Sequence, residues 1–335
     1  MGEFWKIKAS EVFSIINSAL ADASMQFIEL TGEPFPVTPK LEVIENDGFW
    51  ALAELEDGIF RLRISSAISK TVGELWGQSL NDPHFVNQTN RQINATAEEL
   101  THLSLVWLLL HEMQHYSLGH FELTGRHYLA ETDRAHDFAL VSRAPARSSI
   151  FDTIPVDSHS KVVPYLELQA DHDAIELVLD AYSPEEWPSL RHRTLAISAV
   201  MMLIERTDAK RGAKPSSHPK AATRIFQLLG HLMDMPFIQS QLASNDLELP
   251  PDDEIAAFNE EVVLPAFQDA VALARIAEAP SIADDLGDGR AFFTDIGIAK
   301  LGDASEFEKL QTVGARQWAD LVLLNSQLLK LQGHS

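Results

Sequence analysis

The sequence predicts an α+β protein: a mainly helical body with a small antiparallel sheet near its N-terminus. Two patterns predict it. Between residues 40 and 65, short runs of alternating apolar and polar residues are divided by "NDG" and "EDG" turns. Through most of the remainder, apolar residues recur at spacings of three and four over long segments. The 335 residues are 45% hydrophobic and 22% charged, the balance of a soluble globular chain long enough for a sizeable core.

Taken in order, "SEVFSIINSALADASMQFIEL" (10–30) reads as an amphipathic helix with Ser10 as its N-cap. After "GEPFPVTP" the runs "KLEVIE", "FWALAEL" and "GIFRLRIS" form a three-stranded antiparallel meander ending near Ser65. "SAISKTVGELWGQSL" is helical, residues 81–97 are a polar loop, and a strong helix runs from about Glu98 to Gly119. Residues 121–160 are mixed, with an exposed loop in their second half that could act as a lid. Helices follow over 162–181, 186–208 and 217–233, the last with Ser217 as cap and Pro219 in its first turn. Two long helical patterns lie beyond Pro250.

Composition excludes several functions. Lys and Arg number 26 against 49 Asp and Glu, a formal net charge of −23, so nucleic acid and anionic membrane are not expected partners. The longest charge-free apolar stretch, residues 194–204, is far short of the roughly 20 residues needed to span a bilayer. No basic-then-apolar leader opens the chain and cysteine is absent, which fits a cytoplasmic protein. Without cysteine, a zinc site must use His, Asp or Glu.

One stretch supplies such ligands. "HEMQHYSLGH" (111–120) follows the apolar run "LSLVWLLL". On a helix His111 and His115 lie one turn apart on one face, so both can point at one ion, with Glu112 beside it to hold a water. Zinc favours imidazole, lowers the pKa of its water to about 7, and leaves Glu112 to act as general base. "ELQAD" (167–171) offers the third ligand: Glu167 begins it, 52 residues past His115. Asp171, one turn further on, could accept the Nδ1 proton of a ligating histidine. His120, at the helix end, could neighbour the site, or be stabilised there as a cation without any chemistry. His127, His136, His159, His172 and His192 form no convincing ligand spacing with one another.

The order HExxH, then ExxAD about fifty residues on, resembles the gluzincin metallopeptidases, most closely the M48 family. "SSHPKAATRI" (216–225) resembles the Ser/Thr-His-Pro…Arg-Ile segment that follows in that family, and a histidine at the place of His120 also recurs there. The resemblance covers residues 100–230. It implies a zincin-like domain over 1–240, including the N-terminal helix and sheet, with a helical C-terminal extension over 241–335 packed on it. It further implies His111, His115 and Glu167 as zinc ligands, Glu112 as base and Asp171 behind the ligands. Arg224 would approach the site as an oxyanion stabiliser, and His218 would lie near the metal, able to occupy its open position. Many M48 members are membrane-embedded or exported, and this sequence carries neither signal. A second resemblance is to the Lit-type phage-exclusion peptidases, soluble HExxH proteins that cleave a host translation factor.

The expected function is therefore a soluble zinc endopeptidase acting on a protein or peptide, with a metal-binding regulatory or phage-defence protein of restricted or latent activity as the alternative. "GIFRLRIS" is the expected edge strand for an extended substrate. On that expectation, proline at Arg63 stops cleavage without unfolding the chain.

Overall fold

A computed structural model of the chain describes residues 9–87, 93–125, 150–211, 218–238 and 249–325, and most of them are helical. The first helix, α1 (Ala9–Thr31), buries Val12, Ile16, Ala19, Ala23 and Phe27, the stripe that its three-and-four spacing requires. Ser10 lies inside this helix and does not cap it.

The strands β1 (Lys40–Ile44), β2 (Ala51–Glu56) and β3 (Ile59–Ser65) occupy the expected segments but not the expected order. The sheet runs β1-β3-β2, with β2 antiparallel to β3 and β1 parallel to it, so it is mixed and not an antiparallel meander. Charge explains the order. β1 carries Glu42, β2 carries Glu54 and Glu56, and β3 carries Arg61 and Arg63 between them. Arg61 lies 3.6 Å from Glu42 and 3.4 Å from Glu56, and Arg63 lies 3.5 Å from Glu42 and 3.7 Å from Glu54. A meander would have set the glutamates of β1 and β2 beside one another. The opposite face of β3 buries Phe60, Leu62 and Ile64. β3 is thus the central strand, and the expectation of a substrate-binding edge at "GIFRLRIS" is overturned.

The helices α2 (Ile68–Asn81) and α3 (Pro83–Asn87) follow, the second a short turn within the expected loop, where Phe85 is buried. Then come α4 (Ala97–Ser117), α5 (His120–Thr124), α6 (His159–Leu179), α7 (Trp187–Arg211) and α8 (Ala221–Asp234). Beyond residue 250 lie α9 (Asp252–Phe258), continued through a π turn into α10 (Leu264–Ile276), then α11 (Pro280–Leu286), α12 (Gly289–Lys300) and α13 (Val313–Val322). Of the mixed segment 121–160, residues 126–149 lie outside the described residues, as does Ser217; the end of the expected exposed loop forms short turns at Ile150–Asp152 and Val156–Ser158 and buries Ile150 and Ile154. Lys220 stands at the N-cap of α8, so Pro219 precedes the helix and is not in its first turn.

At the centre lies α4. A capping box starts it: Thr96 Oγ1 accepts from the Glu99 N–H, and Glu99 Oε2 accepts from the Thr96 N–H. It packs against α1, α2, α6, α7 and β2, and buries Leu100 and every residue from Ser104 to His115. Trp76 on α2 donates to Ser104, whose hydroxyl also reaches the Ala196 carbonyl on α7. The main apolar cluster runs from Val12 to Ala319. Among the described residues no helix is long and apolar enough to cross a membrane.

The strand order has a testable consequence. Arg63 pairs with Glu42 on one side and Leu52 on the other, so Arg63→Pro removes a donor from the middle of the sheet. The variant should lose about 3 kcal/mol or more in urea unfolding, whereas an unchanged midpoint would contradict the central placement of β3.

Candidate metal centre

The buried end of α4 meets the middle of α6. Helical spacing sets His111 and His115 on one face of α4, and Glu167 reaches them from α6. His111 Nε2 is 3.2 Å from Glu167 Oε2, and His115 Nε2 is 3.4 Å from Glu167 Oε1. All three side chains are buried, and their donor atoms lie within 4.8 Å of one another.

The residues fit a cation. Glu167 Oε2 is buried without a hydrogen bond while imidazole nitrogens face it. Two imidazoles and a carboxylate are a zinc-type donor set. Burial pushes the His115 imidazole down to about 4, so it is neutral and able to ligate. Burial acts the same way on His111, but Asp171 and Glu167 outweigh it and carry that ring up to about 10. For Glu167, burial would favour the acid form, yet the surrounding histidines, His115 first, hold it well below the usual carboxylate range.

Behind the ligands is a second layer. Asp171, one turn along α6 from Glu167, puts Oδ1 2.9 Å from His111 Nδ1. The same carboxylate takes two hydrogen bonds of 2.6 Å from Nε and Nη2 of Arg224 on α8. Burial raises Asp171, but the Arg224 guanidinium more than compensates and keeps it ionised. Trp107, one turn before His111, covers the Arg224 guanidinium at 5.5 Å and the His111 ring at 5.5 Å. Arg224 is itself 0% exposed, so the structure places it behind His111, with two of its nitrogens committed to Asp171.

His115 has its own neighbour. Gly119 adopts φ +68, a left-handed conformation that ends α4 and turns the chain into α5. That turn sets His120 Nδ1 2.9 Å from His115 Nδ1. His120 is fully buried, and burial holds it well below its ordinary pKa; it is a neutral partner of His115 and not a cation at a helix end.

Glu112 is buried on the side of α4 that faces the sheet, and its Oε2 accepts a 2.7 Å hydrogen bond from the Ala53 N–H of β2. Burial raises its pKa. His218, just ahead of α8, has Nε2 3.6 Å from Glu167 Oε2 and Nδ1 3.2 Å from Asp208. All seven sequence-predicted residues are therefore drawn to one place. Sequence reasoning missed Ala53, Trp107 and Asp208. Trp107 had a usable signal, since it sits four residues before His111; the other two carry none.

Two outcomes are expected. Arg224→Ala leaves Asp171 buried and uncompensated, and should cost about 3–5 kcal/mol in urea unfolding; a loss below about 1 kcal/mol would remove the pair from its structural role. For the metal-free chain, His111 titrates near 10 when folded against 6.5 when unfolded, so the folded state holds the proton more tightly. That contribution is complete below pH 6.5 and is lost as pH rises towards about 10. Urea midpoints of chelator-treated protein should fall across that window, and a flat profile would contradict the assignment. Comparisons of this chain with family models, with curated proteins and with solved structures find no match, so its functional reading rests on its own residues.

Proposed function

We propose that the chain is a soluble, zinc-dependent endopeptidase with a zincin-like domain, similar to the M48 gluzincins. The observation that carries this reading is the buried convergence of His111, His115 and Glu167 with Glu112 alongside. His111, His115 and Glu167 would hold the zinc. When bound, it supplies a Lewis acid that polarises a carbonyl and brings the pKa of a coordinated water to about 7.

Glu112 is the general base. The Ala53 N–H fixes Oε2, leaving Oε1 to take a proton from the attacking water. A carboxylate raised by burial keeps that proton long enough to pass it to the leaving amine. Asp171 orients His111, and Arg224 acts through Asp171 as a positioning residue, not on an oxyanion. The substrate strand is β2 in place of β3. Ala53 points its N–H away from β3 and towards α4, and Ala51 turns its backbone the same way by the two-residue period. An extended peptide laid along that edge would lie beside Glu112.

One contact favours a second reading, that of a latent enzyme. His218 stands near Glu167 and is anchored through Nδ1 by Asp208, a position from which it could close the open site. The two readings separate on activity. Near one tightly held zinc per chain is expected in wild type, with clear loss in Glu167→Ala. Glu112→Gln should keep the metal and lower peptide cleavage by about 10²–10⁴-fold. Zinc without cleavage in wild type, gained on His218→Ala, would select latency. Wild type prepared without chelator yet free of zinc would end both.

A further inference from the structure

A second group of ligand-type side chains lies on another face of α6. Five residues separate Glu167 from His172 and Asp171 from Glu176, which turns the later pair roughly 140° around the helix from the earlier one at 3.6 residues per turn. His172 and Glu176 are one turn apart, with Nε2 and Oε1 separated by 3.4 Å. Facing them from α8 is His231, whose ring centroid is 5.8 Å from that of His172 at an interplanar angle of 80°. The donor atoms of the three lie within 4.8 Å of one another. They line a groove shared with Asp173 and Gln227.

No hydrogen bond explains the arrangement of His231. Among the described residues neither of its ring nitrogens is hydrogen-bonded, and one of them lies within 4.8 Å of the donor atoms of His172 and Glu176. The His172–Glu176 contact is half-exposed and contributes little by itself. Two imidazoles and a carboxylate, from two helices and converging on one point, are instead what a borderline transition cation selects; magnesium and calcium prefer oxygen.

We infer that His172, Glu176 and His231 form a second site for a divalent transition cation of the zinc class, which cross-links α6 to α8. Three protein ligands leave room for water, and the half-exposed setting makes this the weaker and more exchangeable of the two sites. The cross-link has a mechanical consequence. α6 carries Glu167 and Asp171, and α8 carries Arg224, so a cation there clamps the two helices that meet at the Asp171–Arg224 pair.

Zinc titration of the full, chelator-stripped chain, followed by equilibrium dialysis, tests this. Wild type should take up two equivalents, and each of His231→Gln and His172→Asn should lose one, the weaker, while retaining the tight one. Glu167→Gln should show the converse loss. The melting temperature of Glu167→Gln should still rise with excess zinc, and that rise should vanish when His172→Asn is added. Should His231→Gln fail to fold, the half-exposed His172→Asn decides alone. A single equivalent lost in Glu167→Gln but kept in His172→Asn would overturn the second site and leave the first intact. A single equivalent lost in His172→Asn but kept in Glu167→Gln would do the reverse.

Discussion

A carboxylate sealed in an apolar core cannot stand alone, and the centre of this molecule is arranged around that constraint. Asp171 is 0% exposed, and its charge is stable only because Arg224 meets it with two short hydrogen bonds and His111 lies against it. The arginine is equally buried and is covered by Trp107, so each charge depends on the other. The pair cannot form unless α8 crosses α6 at this level, and His111 cannot meet it unless α4 lies alongside. One desolvated ion pair therefore registers three helices, and the convergence of His111, His115 and Glu167 follows from that register.

The same constraint accounts for the character of α4. Its apolar residues bury nearly the whole circumference, which suits a helix enclosed by α1, α2, α6 and α7. Its polar end is enclosed as well, and its two histidines and Glu112 each have a neighbour. His111 has Asp171 and Glu167, His115 has Glu167 and His120, and Glu112 has the Ala53 N–H. The left-handed Gly119 permits the tight reversal that returns His120 to His115. A helix so confined has little freedom to move its donors, which is the preorganisation a metal site requires.

The sheet contributes in a different way. Its order lines up glutamates and arginines across three strands and leaves β2 as the strand beside α4. A backbone N–H of β2 then serves a side chain of the helix. Sheet and helix are joined at Glu112, the residue on which the proposed chemistry turns.

Much of this is legible in the sequence. His111 with His115, and Glu167 with Asp171, are pairs four residues apart, and helical periodicity alone places each pair on one face. The segments of the strands and most helices follow from similarly local patterns. Contacts between segments distant along the chain were not legible. The "EDG" turn did mark the antiparallel β2–β3 hairpin, but β1 pairs with β3 in parallel, a contact between segments about 20 residues apart that no turn signal specifies. Arg224 was expected to face substrate and instead holds Asp171, because only the crossing of α6 and α8 reveals how deeply it is buried. His172 had no visible partner, since His231 lies 59 residues further along the chain. The sequence by itself determined which side chains share a helical face; the tertiary structure alone decided which faces meet, because that choice is made by burial and charge pairing between parts of the chain with no local relation.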